Sequence, residues 1–173
     1  MPNLEQDRRF LEAGLNSLAD YLLSNELFYP LDGDLPRLTV GNFLLAQLRV
    51  STVEPFLVTY RIEEIKEKWL SAWEQKAAKE IHSRFGLWLN FLRDYGSSPS
   101  DHADRYPVEV RNRAILQLLS LEAGSTAEIS LLPELDIRLN NSFIPGMFVW
   151  EEQVAPGFDQ NAFWFLFGML KSR

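Results

Sequence analysis

The residues best placed to do chemistry are Asp101, His102 and Asp104, which lie in the polar segment GSSPSDHADRYP. A carboxylate beside an imidazole can orient a general base or help to bind a divalent cation. Aspartate, histidine and serine are also ordinary constituents of solvated loops, where aspartate favours the start of a following helix. The hypothesis of a metal or catalytic site at these residues therefore stands beside a simpler interpretation, a polar connection between helices.

The remaining polar residues lack the spacing of a metal or catalytic site. His82 has no carboxylate and no second histidine one helical turn away, so we interpret it as an ordinary helix residue. The patterns GxSxG, GxGxxG and GxxxxGK[ST] are absent, which removes the common signatures of hydrolases, dinucleotide enzymes and P-loop proteins. We therefore predict no catalytic residue, no cofactor and no bound metal, and we favour a protein that is not an enzyme.

The composition restricts the classes of function further. The formal net charge of −7 disfavours general binding to nucleic-acid phosphates. The absence of cysteine excludes disulfides, cysteine nucleophiles and cysteine-ligated metals. The N-terminus lacks the features of a signal peptide, and the longest apolar run is about half of the ~20 residues that a membrane span needs. These observations predict a single cytoplasmic domain over residues 1–173 that does not associate with membranes.

Aromatic residues are frequent, at 13% of the chain with 12 Phe and 5 Trp. Such rings belong either to a bulky core or to a surface that binds a partner. The C-terminal segment FDQNAFWFLFGMLKSR concentrates them. It is interpreted as a buried helix capped by Asp159, as a buried strand, or as a segment that a partner covers. The residues predicted to contact a partner are Trp164, Phe165, Trp150 and Phe148, with Trp69 and Trp73 as a second strip.

Helical periodicity dominates the first half of the sequence. Leucines recur at helical spacing from Leu4 to Leu23, and Asn3 is a suitable N-cap. A second helix is predicted to start at Thr39, whose hydroxyl can accept a hydrogen bond from an exposed amide. The segment 51–60 remains a junction, because its β-branched residues favour an extended chain whereas Pro55 could open a helix.

The longest predicted helix runs from about Tyr60 to Tyr95. Apolar residues step by three or four positions through this segment, and Gly86 is a candidate for a kink or a close helix crossing. A further helix is predicted over residues 107–123, with Pro107 in its first turn and Gly124 beyond its end.

The segment between residues 125 and 158 supports two interpretations. Leu135, Ile137 and Leu139 alternate as in a strand, but the same stretch could form a short helix before Pro145. We predict a mainly α fold: a single-domain helical bundle with one long central helix and a short β-hairpin near residues 125–155. An α+β domain is the alternative.

The surplus of aromatic residues, together with the missing catalytic signatures, predicts a non-enzymatic intracellular module for protein–protein interaction or assembly. Its partner is another protein or a second copy of the chain, and nucleic acid is a disfavoured partner. The alternative is a helical domain that binds an apolar or aromatic small ligand in an internal pocket. A third hypothesis is an enzyme that uses the loop around Asp101, His102 and Asp104.

Overall fold

The computed structural model describes residues 3–54 and 59–173, without the side chains of residues 59 and 60. The helices in these ranges are α1 (Leu4–Leu23), α2 (Val40–Val53), α3 (Thr59–Lys68), α4 (Leu70–Ser97), α5 (Pro99–His102), α6 (Tyr106–Leu119) and α7 (Ala127–Ser142). Strands β1 (Phe143–Phe148) and β2 (Phe167–Leu170) form an antiparallel pair. Short 3₁₀ turns cover Ala103–Arg105, Glu152–Gly157 and Trp164–Leu166. The prediction of a mainly α fold with a short strand pair is confirmed.

Side-chain caps set the starts of several helices. The Asn3 carboxamide oxygen accepts a hydrogen bond of 2.9 Å from the Gln6 amide at the start of α1. The Thr39 hydroxyl accepts one of 2.9 Å from the Asn42 amide at the start of α2. Both predicted caps are confirmed, because each satisfies an amide that has no partner within its own helix. Residues 55–58 of the predicted junction, including Pro55, lie outside the described residues.

The long helix predicted over residues 60–95 is interrupted once, at Trp69. The backbone of this residue has φ −122° and ψ 34°, which separates α3 from α4. The turns on both sides of the break attach to one carboxylate, since Lys66 Nζ and Trp73 Nε1 lie 2.7 Å and 2.8 Å from Glu122 Oε2. The break therefore lies where the chain docks onto the end of α6. Gly86, the candidate for a kink or a close helix crossing, shows neither: it lies inside the regular helix α4, and a Cβ atom there would meet no atom of a neighbouring segment within 4 Å.

The core forms where α4 packs against α6 and where α2 packs against α1 and α6. Large side chains on these helices are completely buried, among them Leu18, Phe43, Trp73 and Trp88. Burial of such apolar area is the main term that stabilises a fold of this size. Among the described residues, no helix combines the length and the apolar character that crossing a bilayer would require.

The segment after residue 125 forms helix α7, so the strand interpretation of Leu135, Ile137 and Leu139 is wrong. Leu135 and Leu139 are four residues apart and both are buried, whereas Ile137 is 65% exposed on the other face. A strand would place all three side chains on one face, and a helix does not. The observed strand pair begins later than predicted and uses the C-terminal segment as its second strand.

The C-terminal segment forms a 3₁₀ turn followed by strand β2, and the helix interpretation is wrong. Asp159 Oδ1 accepts a hydrogen bond of 3.1 Å from the Asn161 amide within a turn, where no α-helix follows. The later backbone pairs with β1 in the register Phe143 to Leu170, Ile144 to Met169 and Pro145 to Gly168. Pairing between strands satisfies the backbone groups that a helix would have paired internally.

Candidate functional site

The segment predicted to be a polar loop is helical, and Asp101 has local partners there. Its two carboxylate oxygens accept hydrogen bonds from Ser98 Oγ at 2.9 Å and from Ser100 Oγ at 3.3 Å. His102 Nδ1 lies 3.4 Å from a guanidinium nitrogen of Arg105, and Asp104 is exposed. Across residues 3–54 and 59–173, no group of three or more His, Cys, Asp or Glu side chains could hold a metal ion. The contacts of Asp101 are local side-chain hydrogen bonds within the short connection between α4 and α6.

Two of the aromatic residues predicted to contact a partner are core residues. Phe165 and Trp73 are both completely buried within the single chain, so the expectation of an exposed position is wrong for each. Phe165 packs under the guanidinium of Arg113, whose Cζ atom lies 4.4 Å from the ring centroid. The other predicted contact residues are partly buried, and their role in binding stays a prediction: Trp164, Trp150, Phe148 and Trp69.

The rings of the C-terminal third pack mainly against one another. Trp164 meets Phe143 edge-on with 5.2 Å between ring centroids, and Phe148 lies 5.1 Å from Phe167. Edge-on and tilted contacts in this range are the arrangements that aromatic quadrupoles favour. The aromatic residues of this third of the chain therefore belong mainly to a local aromatic core rather than to an aromatic surface.

A buried polar network at the junction of α2, α4 and α6 has Glu80 at its centre. This carboxylate is completely buried. It accepts hydrogen bonds from Thr39 Oγ1 at 2.7 Å and from the Gly41 amide at 2.8 Å, and Arg84 Nε donates to it at 3.1 Å. Glu80 thus provides a negative charge at the N-terminus of α2, where free amides and the helix dipole favour one.

Gly41 leaves the space that the Glu80 carboxylate occupies. A Cβ atom at position 41 would lie 2.6 Å from Glu80 Oε1 and 2.3 Å from Ile115 Cγ2. Both separations are shorter than van der Waals contact, so any side chain at this position would displace the network or α6. The close approach of α2 to α4 depends on this glycine.

The guanidinium of Arg84 extends the network to two asparagines. Its Nη1 donates to Asn112 Oδ1 and its Nη2 donates to Asn42 Oδ1, each at 3.0 Å. Asn42 Oδ1 accepts a second hydrogen bond, of 3.2 Å, from Arg111 Nη2. Burial lowers the pKa of Arg111 to about 10, and the neighbouring charge of Arg84 acts in the same direction. The arrangement fixes four side chains from three helices in one geometry.

A second buried ion cluster connects the two ends of the chain through Arg49. Arg49 Nε donates to Asp7 Oδ2 at 2.7 Å, and both partners are almost completely buried. Its Nη2 donates to the two oxygens of Glu151 at 3.1 Å and 3.0 Å. The cluster links α1, α2 and the segment that follows β1. Charge-assisted bonds of this geometry are strong and directional, so they define how these segments meet.

Burial raises the pKa of Asp7 above its ordinary value of 3.8, although the hydrogen bond from Arg49 opposes that shift. Folding then takes up a proton at pH values between the unfolded and the folded pKa. The stability contributed by this group is present below the unfolded pKa and is lost as the pH rises through the folded pKa.

We expect the free energy of unfolding of the wild type, measured relative to Asp7→Asn, to fall as the pH rises through the folded pKa of Asp7. Urea unfolding of both proteins across a pH series measures this difference. A difference that increases with pH would contradict the prediction, because it would mean that attraction to Arg49 outweighs desolvation.

Among the contacts of these clusters, the ion pair of Glu80 with Arg84 is the one with a local spacing in the sequence. Glu80 and Arg84 are an i, i+4 pair, a spacing typical of solvated helix faces, but here both side chains are buried. Asp7 lies one turn from Leu4 and Leu11 on the apolar face of α1 and is itself buried. A charged residue on an apolar stripe is a signal that could have identified it, because such a charge must be paired if the helix packs.

The filled coordination of Glu80 favours a structural role for its network over a catalytic one. Every oxygen of Glu80 is occupied by a donor of the protein, and its side chain is closed to solvent. A general base needs a free lone pair within hydrogen-bond reach of its substrate. The Glu80 network therefore defines how α2, α4 and α6 meet.

The outer face of the strand pair is apolar and exposed. Ile144 and Met169 are cross-strand partners, so their side chains share one face, and they are 43% and 61% exposed. Met147 is 83% exposed where the register of β1 shifts between Pro145 and Phe148. The next pair, Phe143 with Leu170, is buried against the core on the inner face. We call Ile144, Met147 and Met169 the outer sheet patch.

Comparison of the chain with protein-family models, with curated proteins and with solved structures finds no match in any of the three.

Proposed function

We propose that this chain is a homotypic interaction module and that two copies associate through the outer sheet patch. The observation that carries the proposal is the exposure of the cross-strand partners Ile144 and Met169 on one face of the strand pair, with Met147 exposed at the adjoining bulge. Isolated exposed apolar side chains are ordinary, but neighbouring ones on a single face are typical of interfaces.

The chemistry of the patch supports this proposal. Methionine side chains are flexible and polarizable, so they adapt to a partner surface and are frequent at binding sites. Met147 lies on a bulge, a feature that redirects a side chain away from a regular sheet. In a two-fold symmetric dimer the same patch faces itself, so an apolar surface is complementary to its own copy.

The ends and edges of the strand pair also support association. In the described part of the chain, β1 and β2 pair only with each other, so each has an edge with unpaired backbone groups. Pro145 removes one donor from the edge of β1, which leaves β2 as the better strand for pairing with a second copy.

The double variant Met147→Glu/Met169→Glu is expected to weaken self-association at least about tenfold, because each new carboxylate would be desolvated in the interface. Sedimentation equilibrium over a concentration series measures the dissociation constant of each protein. Since both side chains are exposed in the single chain, we expect an unchanged far-UV circular dichroism spectrum and melting temperature.

Leu121→Glu is the matched control, because Leu121 is 80% exposed in the turn after α6 and lies outside the patch. The proposal requires this variant to associate like the wild type. A wild type that stays monomeric at all concentrations would contradict it, and so would a loss of association in Leu121→Glu equal to that of the double variant.

The partly buried rings of Phe148, Trp150 and Trp164 are proposed as the periphery of the same interface. Trp150 is held in place by a hydrogen bond of 2.8 Å from its Nε1 to the Pro107 carbonyl oxygen. A ring with a fixed orientation loses little entropy on binding, which suits it to an interface. A role for Trp69, a cytoplasmic location and the internal ligand pocket stay predictions.

A further inference from the structure

A groove of about 340 Å³ lies between the C-terminal turns of α4 and α7. Its apolar wall is formed by Leu89 and Leu92 of α4 and by Leu139 of α7. Arg93 and Arg138 line the same groove, one from each helix. A volume of this size falls in the range of small-molecule sites, which combine an apolar lining with a few polar groups.

Neither arginine of the groove has a partner in the part of the chain that the structure describes. No carboxylate oxygen lies within 4.0 Å of either guanidinium, and neither side chain donates a hydrogen bond or stacks on a ring. Asp94 follows Arg93 along α4 and Glu134 lies one turn before Arg138 on α7, yet neither forms an ion pair with them. Two cations of an acidic protein thus face one groove with their donors free.

The surroundings of the groove add to its positive character. Ser142 lines its end, and the Ser142 carbonyl oxygen accepts a hydrogen bond of 3.0 Å from the Lys171 amide. The Lys171 ammonium donates to the Asn141 carbonyl oxygen at 3.3 Å and has no carboxylate partner among the described residues. A third cation is therefore tied to the end of α7, beside the groove.

We propose that this groove binds a small carboxylate with an apolar body, such as a medium-chain fatty acid. The guanidiniums of Arg93 and Arg138 would hold the carboxylate, since planar arginine donors match carboxylate oxygens. The leucine wall would cover the alkyl chain and remove it from water. A purely inorganic anion would leave this wall exposed, and a neutral apolar molecule would leave both arginines without a partner.

This proposal is independent of the proposed dimer. None of the residues that line the groove belongs to the outer sheet patch. The variant Met147→Glu/Met169→Glu should consequently bind the carboxylate with unchanged affinity. Failure of either proposal leaves the other standing, and this variant distinguishes the two.

The test is binding of octanoate below its micelle concentration, measured by isothermal titration calorimetry and by nitrogen–proton NMR. We expect one octanoate per chain, with shifts of the Gly96 and Ser142 amides at the groove. Arg93→Gln/Arg138→Gln should weaken binding at least about tenfold through loss of two charge-assisted contacts. Acetate and 1-octanol should each bind at least about tenfold more weakly, because each lacks one half of the ligand.

The matched control is Arg37→Gln/Lys79→Gln, which removes the same charge from two exposed residues outside the groove. All variants are first shown to have the wild-type melting temperature, so that lost binding cannot reflect unfolding. Equal binding of octanoate and 1-octanol would overturn the proposal. Equal weakening by the control pair, or shifts confined to residues elsewhere, would do the same.

A fatty acid and an anionic lipid both present a negative group on an apolar chain. A second experiment with vesicles therefore distinguishes binding of a free fatty acid from binding to a membrane surface. Flotation with phosphatidylcholine vesicles, with and without phosphatidylglycerol, tests binding to a membrane surface. We expect no flotation with either. Flotation that depends on phosphatidylglycerol and on both arginines, without binding of free octanoate, would overturn the proposal of a soluble carboxylate.

Discussion

Glu80→Gln is expected to lower the free energy of unfolding by about 3–5 kcal/mol, because it removes one partner of a buried ion pair. The substitution keeps the size of the side chain but replaces an acceptor oxygen by a donor. The Arg84 guanidinium would remain buried without its counterion, and Thr39 or the Gly41 amide would lose its acceptor. Both effects act in the same direction, since uncompensated buried charges and donors are costly.

Urea unfolding followed by tryptophan fluorescence measures this loss. Asp34→Asn is the matched control, because it also neutralises one carboxylate of an ion pair, that of Arg9 with Asp34, and both of those side chains are more than half exposed. We expect a change below about 1 kcal/mol there. If the two substitutions have equal effects, the buried network does not contribute as described.

Phe165→Ala is expected to cost about 3–5 kcal/mol, the usual range for removing a buried aromatic side chain. Phe165 is completely buried, and its ring packs under the guanidinium of Arg113, which is itself held by Asp136 through two contacts of 2.8 Å. Its carbonyl oxygen accepts a hydrogen bond of 2.6 Å from the buried Tyr106 hydroxyl. The truncated side chain would leave a cavity bordered by charged groups that cannot easily relax.

Met169→Ala is the control for this substitution, because Met169 lies in the same C-terminal segment and is 61% exposed. At a protein concentration where the chain is monomeric, we expect its effect to stay within about 0.5 kcal/mol. Chemical unfolding of both variants measures how much each substitution lowers the free energy of unfolding. A loss below about 1 kcal/mol for Phe165→Ala would contradict its assignment to the core.

Glu80 and Phe165 both make contacts between segments that are far apart in the sequence. The positions of α2 and of the C-terminal segment depend on these contacts. Glu80 accepts a hydrogen bond from Thr39 at the start of α2, and the two residues are 41 positions apart in the sequence. Phe165 accepts a hydrogen bond from Tyr106, which is 59 positions earlier. Surfaces such as the outer sheet patch are presented by elements that the network and the aromatic core position. Destabilising either cluster should therefore weaken self-association as well as folding.

Local patterns in the sequence determined most of the helical first half of the chain and the starts of α1 and α2. The leucine spacing of α1 and the caps at Asn3 and Thr39 could be predicted because each depends on residues within one or two turns. The mainly α class followed from the same periodicity. Helical periodicity could not predict the break at Trp69. The break depends on the contacts of Lys66 and Trp73 with Glu122, which lies beyond the following helix α4.

Only the tertiary structure decided which charged and aromatic residues face the interior. Arg49 and Glu151 are 102 positions apart, so their contact leaves no local pattern in the sequence. The aromatic surplus was visible in the composition, but the burial of Phe165 depends on its packing with Tyr106 and Arg113. The exposure of Ile144 and Met169 on one face depends on the register of β1 with β2. The physical reason is that periodicity arises from the repeat of one helix or strand, whereas burial depends on which surfaces the whole chain brings together.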